Sequence, residues 1–379
     1  MEQHWIFLYS CTFFVSFFLT LGAVPMCKRI ARKSGYMDVP KTEGHKLHRK
    51  ATPLLGGVAM CVGWLITITA GFAAARIWNP ELIRPYAEGL SRTAPDLLVM
   101  VLGACGAVLL GLVDDKHALK AWQKFLGQLV IASAVVVFGG IRVSLFLNST
   151  ILSCIVTIFW FLFIFNAMNF FDNMDGLAVG TSAIGFFFFM AASIVNGQYF
   201  VANLCACSAA AACAFWIFNS SPASIFMGDA GSHFLAFLLA VISVKVTYYN
   251  PDAAATRFAI LIPLFVLAVP IFDTFAVVAI RLRNHKPVYV GDHNHISHRF
   301  CRMGMPPRRA VQLVHLLALI GALGMLPLLW GDLRTCFVLL IQGVAILLLL
   351  SVMQYTGIHT AEDRHGADKS KETERSAAK

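Results

Sequence analysis

Apolar positions in this chain fall into long, nearly unbroken blocks separated by short polar segments. Eleven such blocks, at about 17–25 residues each, match the length that crosses a hydrocarbon core as helix. They lie near residues 5–27, 53–75, 97–113, 126–139, 151–168, 177–195, 201–218, 231–248, 257–280, 310–330 and 335–355. The pattern predicts an all-α, polytopic membrane helix bundle with about eleven transmembrane helices. An odd count puts the two termini on opposite sides. The first block is too long for a signal-peptide core and is followed, not preceded, by basic residues, so it reads as a retained helix. No internal repeat of the transporter kind is visible, and the run Phe186 to Phe189 reads as apolar filling.

Composition agrees with this picture. Of 379 residues, 58% are hydrophobic and 13% charged, against roughly 45–50% and 25% in soluble domains, and mean hydropathy is +0.71. A soluble fold is excluded. Residues 1–355 read as one transmembrane domain, and residues 356–379, polar and mixed in charge, as a disordered tail. The net charge of +10 reports topology here rather than nucleic-acid binding. Eighteen Lys and Arg fall in residues 28–50, 114–125 and 281–309, against seven on the other face. The basic face is therefore expected to be cytoplasmic, with the N-terminus outside and the C-terminus inside. Most of the ten cysteines sit inside apolar blocks and read as small packing residues.

The acidic residues are few, 20 in all, yet they gather on the basic face. Asp114 and Asp115 end the third block. Asn166, Asn169, Asp172 and Asp175 follow the fifth at a spacing of three, which on a helical end makes one strip. Asp229 precedes the eighth. Single Asp or Asn residues of this kind cap helices, but carboxylates crowded together resist ionising unless a cation compensates them. Oxygen donors without cysteine suit a hard ion such as Mg2+, which takes one or two carboxylates plus substrate phosphates. Two basic, His-containing loops share the face: Lys46, His48, Pro53, Gly56 and Gly57 in one, Asp292, His293, His295, His298 and Arg299 in the other. Such donors suit a phosphate-rich substrate. Lys124 and Gln128 lie four apart on one helical face, Asp273 is an acid at depth about two turns from Arg281, and His315 reads as a packing residue.

Together these motifs resemble those of the polyprenyl-phosphate N-acetylhexosamine 1-phosphate transferases. Five occur in that family's order: Lys46-x-His48 with Pro53 and Gly56-Gly57; Gly111-Leu112-x-Asp114-Asp115 with Lys124 and Gln128; Asn169-x-x-Asp172-x-x-Asp175-Gly176; Phe226-Met227-Gly228-Asp229-x-Gly231-Ser232; and the His295/His298/Arg299 loop. The resemblance implies Mg2+, with Mn2+ as a substitute, a UDP-sugar, and a polyprenyl phosphate in a bacterial cytoplasmic membrane, with the active site facing the cytoplasm. The products would be a polyprenyl-diphosphate sugar and UMP, the first membrane step of cell-envelope polysaccharide synthesis. It further implies Asp114, Asp115 and Asp229 as catalytic residues, with Asp229, Asp115 and Asn169 at the metal. Asp172, Asp175, His295, His298 and Arg299 would bind the nucleotide sugar, and Lys46, His48 and Lys124 the lipid phosphate. A homodimer is compatible with this reading, and nucleic acid is not an expected partner.

The last loop, Asp292-His293-Asn294-His295-Ile296-Ser297-His298-Arg299, resembles the N-acetylglucosaminyl type, which ranks first; the phospho-N-acetylmuramoyl-pentapeptide type ranks second. Ser297 departs from the family's usual His, and Ser297→His is expected to be tolerated, with KM changing more than kcat. The rival from another class is a transporter or lipid-binding protein. It would need ionisable groups in mid-membrane, where Asp273 is the one deep acid in the sequence.

Overall fold

A computed structural model describes residues 2–39, 51–77, 87–143, 149–246, 257–287 and 294–377. The sequence-derived binding residues Lys46 and His48, together with Asp292 and His293, lie outside the described residues. The helices are α1 (Glu2–Ser34), α2 (Gly56–Ile77), α3 (Ala87–His117), α4 (Ala121–Phe138), α5 (Thr150–Phe171), α6 (Leu177–Val195), α7 (Tyr199–Asn219), α8 (Gly228–Lys245), α9 (Ile262–Val266), α10 (Ala268–Arg283), α11 (Ile296–Arg302), α12 (Pro307–Met325) and α13 (Leu333–Ala377). Among the described residues, ten helices are long and apolar enough to cross a membrane, or eleven if the bent pair α9 and α10 counts as one span. The chain is an integral membrane protein.

The span predicted over 257–280 is not one helix. Its two parts meet at an angle of 64°, with Leu267 as a turn between them. Pro270 lacks the N–H that would bond the carbonyl of Val266 and so supports a break at this point. Beyond Tyr355, α13 runs on through the polar stretch to Ala377. It is rich in Ala, Glu, Lys and Arg, which are strong helix formers that extend a helix already nucleated.

Burial orders the bundle. About 78% of the α8 span and 72% of the α7 span are buried, against 11% of the α13 span, so α7 and α8 form the centre and α13 faces lipid. Lipid offers helices little hydrophobic reason to associate, and small residues and polar bonds do that work instead. Ala209 to Ala212 line α7 with no exposed surface. The Trp64 indole donates to Ser208 Oγ at 3.1 Å, that of Trp160 to Ser243 Oγ at 2.9 Å, and Ser16 to the Cys207 carbonyl at 2.9 Å. At one end of the bundle Lys245 pairs with Asp96 and Trp5 stacks on Tyr199 with ring centroids 4.3 Å apart.

The other end is stitched by loops. A two-residue antiparallel ladder joins Met37–Asp38 to Thr52–Pro53. Phe226 N–H donates to the Pro53 carbonyl, and the N–H groups of Gly56 and Gly57 return to Phe226 and Met227. A Cβ on Gly57 would stand 2.2 Å from the Gly231 nitrogen, so only glycine lets α2 approach the start of α8 this closely.

Candidate active site

The stitched end gathers the residues singled out by the motifs. α8 begins at Gly228, whose φ of +66° is a left-handed conformation that glycine adopts without strain. The first N–H groups of a helix have no partner within it, and here Asp115 at the end of α3 supplies one from another helix. Its Oδ1 accepts from Asp229 N–H at 2.7 Å and its Oδ2 from Ala230 N–H at 3.2 Å. The two adjacent aspartates therefore divide their labour. Asp115 caps the helix that carries Asp229, with an oxygen on each of two backbone N–H groups. Asp114 points about 100° away around the helix and pairs with Lys124.

Lys124, near the start of α4, is the focus of the cluster. Asp114 Oδ2 lies 2.7 Å from its Nζ, Asn169 Oδ1 3.0 Å and Asp229 Oδ2 3.1 Å. Three oxygens from α3, α5 and α8 thus surround one ammonium. Asn169 also donates to Asp229 Oδ1 and to Ser232 Oγ at 2.9 Å, so its amide is fixed by acceptors on one side and Lys124 on the other. Beneath the cluster runs a polar chain in which Gln128 and Asn166 join His233, a residue the sequence did not single out. His233 Nδ1 meets the Asp229 carbonyl at 2.7 Å, its Nε2 meets Gln128 Nε2 at 3.1 Å, and Gln128 Oε1 accepts from Asn166 at 2.9 Å. A carbonyl only accepts, so Nδ1 carries the proton and Nε2 accepts from the Gln128 amide. His233 and Gln128 have no exposed surface.

The strip expected from Asn166 through Asp175 is split, because α5 ends at Phe171. Asn166 turns inward to Gln128. Asp172 and Asp175 lie in the loop that follows, and Asp175 Oδ2 accepts from Ala223 N–H at 2.9 Å. Burial, together with the negative charges of Asp229, Asp115 and Asp175, raises the pKa of Asp172 well above the usual carboxylate value. A cation among these groups would relieve that repulsion.

The second half of the site comes from α10 and α11. Asp273, 1% exposed, does not reach Arg281, which donates instead to the Pro287 carbonyl. Its Oδ2 lies 2.7 Å from His295 Nδ1 and its Oδ1 accepts from Ile296 N–H at 2.6 Å. The imidazole is thereby oriented with Nε2 on its far side. Arg299 is buried, with its Nη2 3.9 Å from Asp273, and its Nε and Nη2 have no hydrogen-bond partner among the described residues. His298 is partly buried, with its ring centroid 6.3 Å from that of His295. Ser297 corrects an expectation: it has no exposed surface and donates to Asn173 Oδ1 at 2.6 Å. It therefore faces the loop after α5 and not an open phosphate site.

Among the described residues, no three His, Cys, Asp or Glu side chains form a ready-made metal cage. The oxygens of Asp114, Asn169 and Asp229 nonetheless converge on a positive charge, and two carboxylates with an amide are a donor set that suits a hard ion completed by substrate phosphates.

The glycosyl transferase family 4 model matches residues 97–247, the stretch that runs from α3 through α8 and carries Asp114, Lys124, Asn169 and Asp229. The chain is 32% identical over 341 residues to the probable undecaprenyl-phosphate N-acetylglucosaminyl 1-phosphate transferase of Bacillus subtilis, covering 87% of this chain and 88% of that protein. It is 30% identical to the decaprenyl-phosphate N-acetylglucosaminephosphotransferase of Mycobacterium tuberculosis, over 81% of this chain and 79% of the relative. A phospho-N-acetylmuramoyl-pentapeptide-transferase of Geobacillus kaustophilus is 33% identical over 61% of this chain and 72% of its own.

Proposed function

Since the chain belongs to glycosyl transferase family 4, among the polyprenyl-phosphate sugar-phosphate transferases, we propose that it moves N-acetylglucosamine 1-phosphate from UDP-N-acetylglucosamine to a polyprenyl phosphate. An oxygen of the lipid phosphate attacks the sugar-linked phosphorus, the bond from that phosphorus to the UMP oxygen breaks, and UMP leaves with the electron pair. The observation that carries this reading is the convergence of Asp114, Asn169 and Asp229 on Lys124. In-line phosphoryl transfer asks mainly for positioning and for neutralisation of charge.

Asp229, with Asp114 and Asn169 beside it, would hold Mg2+, which when bound would neutralise the diphosphate and its leaving oxygen. Lys124 supplies a further cationic donor for phosphate oxygens. His295, oriented by Asp273, presents its second nitrogen to the diphosphate or sugar, and Asp172 stands where the nucleotide sugar meets the cluster. The 18-to-7 distribution of basic residues supports a cytoplasmic site, an outside N-terminus and the bacterial inner membrane as the location. The longer match to N-acetylglucosamine transferases, against a shorter one to the muramoyl-pentapeptide type, favours the first sugar.

The test is to incubate the purified protein with polyprenyl phosphate and a panel of UDP-sugars, weigh the lipid product by mass spectrometry and measure UMP. A polyprenyl-diphosphate N-acetylhexosamine formed with Mg2+ and lost in EDTA is the expected result. Turnover of UDP-N-acetylmuramoyl-pentapeptide alone would overturn the sugar assignment, and full activity in EDTA the metal assignment.

A further inference from the structure

The site has two halves, the carboxylate cluster with the loop after α5 and the His295/Arg299 helix α11, and 124 residues of chain separate the side chains that tie them together. Asn173 is the bracket. Its Nδ2 donates to the Phe170 carbonyl at 3.0 Å, one of the carbonyls that the end of α5 leaves without a helical partner. Its Oδ1 accepts from Ser297 Oγ at 2.6 Å. Because the amide's donor side is committed to Phe170, the Ser297 hydroxyl must be the donor in the second bond. Ser297 has no exposed surface and sits between His295, which is held by Asp273, and Arg299. On the other side, Asn173 is flanked by Asp172 and lies four residues beyond Asn169, which contacts Asp229.

We propose that Asn173 and Ser297 are a positioning pair that fixes the spacing between the carboxylate loop and the His295/Arg299 helix, and through it the binding of the nucleotide sugar. Resting on the transferase reading, the inference adds two residues outside both the carboxylate cluster and the His295/Arg299 pair. A neutral, short hydroxyl at position 297 is required because it must reach Asn173 inside a closed contact. An imidazole at that position would push the two halves apart.

The experiment is a double-mutant cycle on the full-length protein in detergent with Asn173→Ala, Ser297→Ala and the double variant, joined by Ser297→Thr and Ser297→His. UMP formation from UDP-N-acetylglucosamine gives KM and kcat, and thermal unfolding gives Tm for each. Each Ala variant is expected to raise KM about tenfold, the scale of one lost hydrogen bond to a buried partner, with kcat within about twofold. The double variant should be no worse than either single one, because each removes the same bond. Ser297→Thr, which keeps the hydroxyl, should restore the wild-type KM, and Ser297→His should raise it further than Ala does. A purely structural role would lower Tm and the active fraction, hence kcat, and leave KM unmoved; that result overturns the proposal. So do additive losses, or a wild-type KM for Ser297→His. A wild type that forms no UMP from any UDP-sugar sinks the transferase reading and the pair's role with it, whereas an active wild type with additive variants sinks the pair alone.

Discussion

Asp114 and Asp115 are neighbours in the chain with opposite duties, and replacing each by Asn separates them. Asp114→Asn removes a charge from Lys124 but leaves α8 capped; turnover should fall by about 10²–10³ with Tm nearly unchanged. Asp115→Asn puts an amide donor against one of two backbone N–H groups. It should cost about 1–2 kcal/mol of stability, read as a lower Tm, because a buried helix start loses a cap. Equal Tm values for the two variants would contradict the division. Asp229→Asn should abolish turnover while the protein stays folded, checked by UMP release beside thermal unfolding. The motif singled out these carboxylates but not their directions, because which of two adjacent side chains faces a partner depends on the phase of the helix against its neighbours. His233 was hidden for a related reason. In sequence it stands between Ser232 and Phe234 at the start of an apolar run, and only packing brings it under Gln128.

At the scale of elements, hydropathy marks most spans to within a few residues: the sixth, Leu177–Val195, coincides with its expectation. What it cannot register is direction. The turn at Leu267 leaves the ninth block as apolar as a straight helix, and the bend matters because it accompanies the pairing of Asp273 with α11 across 22 residues of chain. Asp273→Ala removes the acceptor for His295 and Ile296 and the counter-charge near buried Arg299. Breaking a buried charge pair costs about 3–5 kcal/mol, so Tm should drop clearly, and kcat/KM should fall with it. Asp273→Asn, which keeps an acceptor for the Ile296 N–H, should recover much of the Tm but little of the activity. Full activity in the Asn variant would show that orientation of His295 by charge is not needed.

For the molecule as a whole, the two ends of the bundle differ in kind. One carries the Lys245–Asp96 pair and the Trp5–Tyr199 stack, the other all of the described site residues. If the second end is cytoplasmic, a single cysteine placed at 172 in a cysteine-free background should resist a membrane-impermeant thiol reagent in sealed cells and react once the membrane is opened. A cysteine placed within residues 78–86 should react from outside. Labelling of position 172 in sealed cells would invert the topology and remove the nucleotide sugar from reach.

Lys124 carries a last consequence. The oxygens best placed to take a divalent ion already have a tenant, and it is covalently part of the protein. An ion held by these oxygens would compete with the ammonium, so its measured affinity would be the difference between two occupancies. Lys124, if displaced, would be free to meet a phosphate oxygen. Ion and phosphate should therefore favour one another's binding, each reporting on the other reciprocally. Lys124→Met, which empties the seat, is expected to bind Mn2+ more tightly by calorimetry while losing both turnover and this mutual dependence.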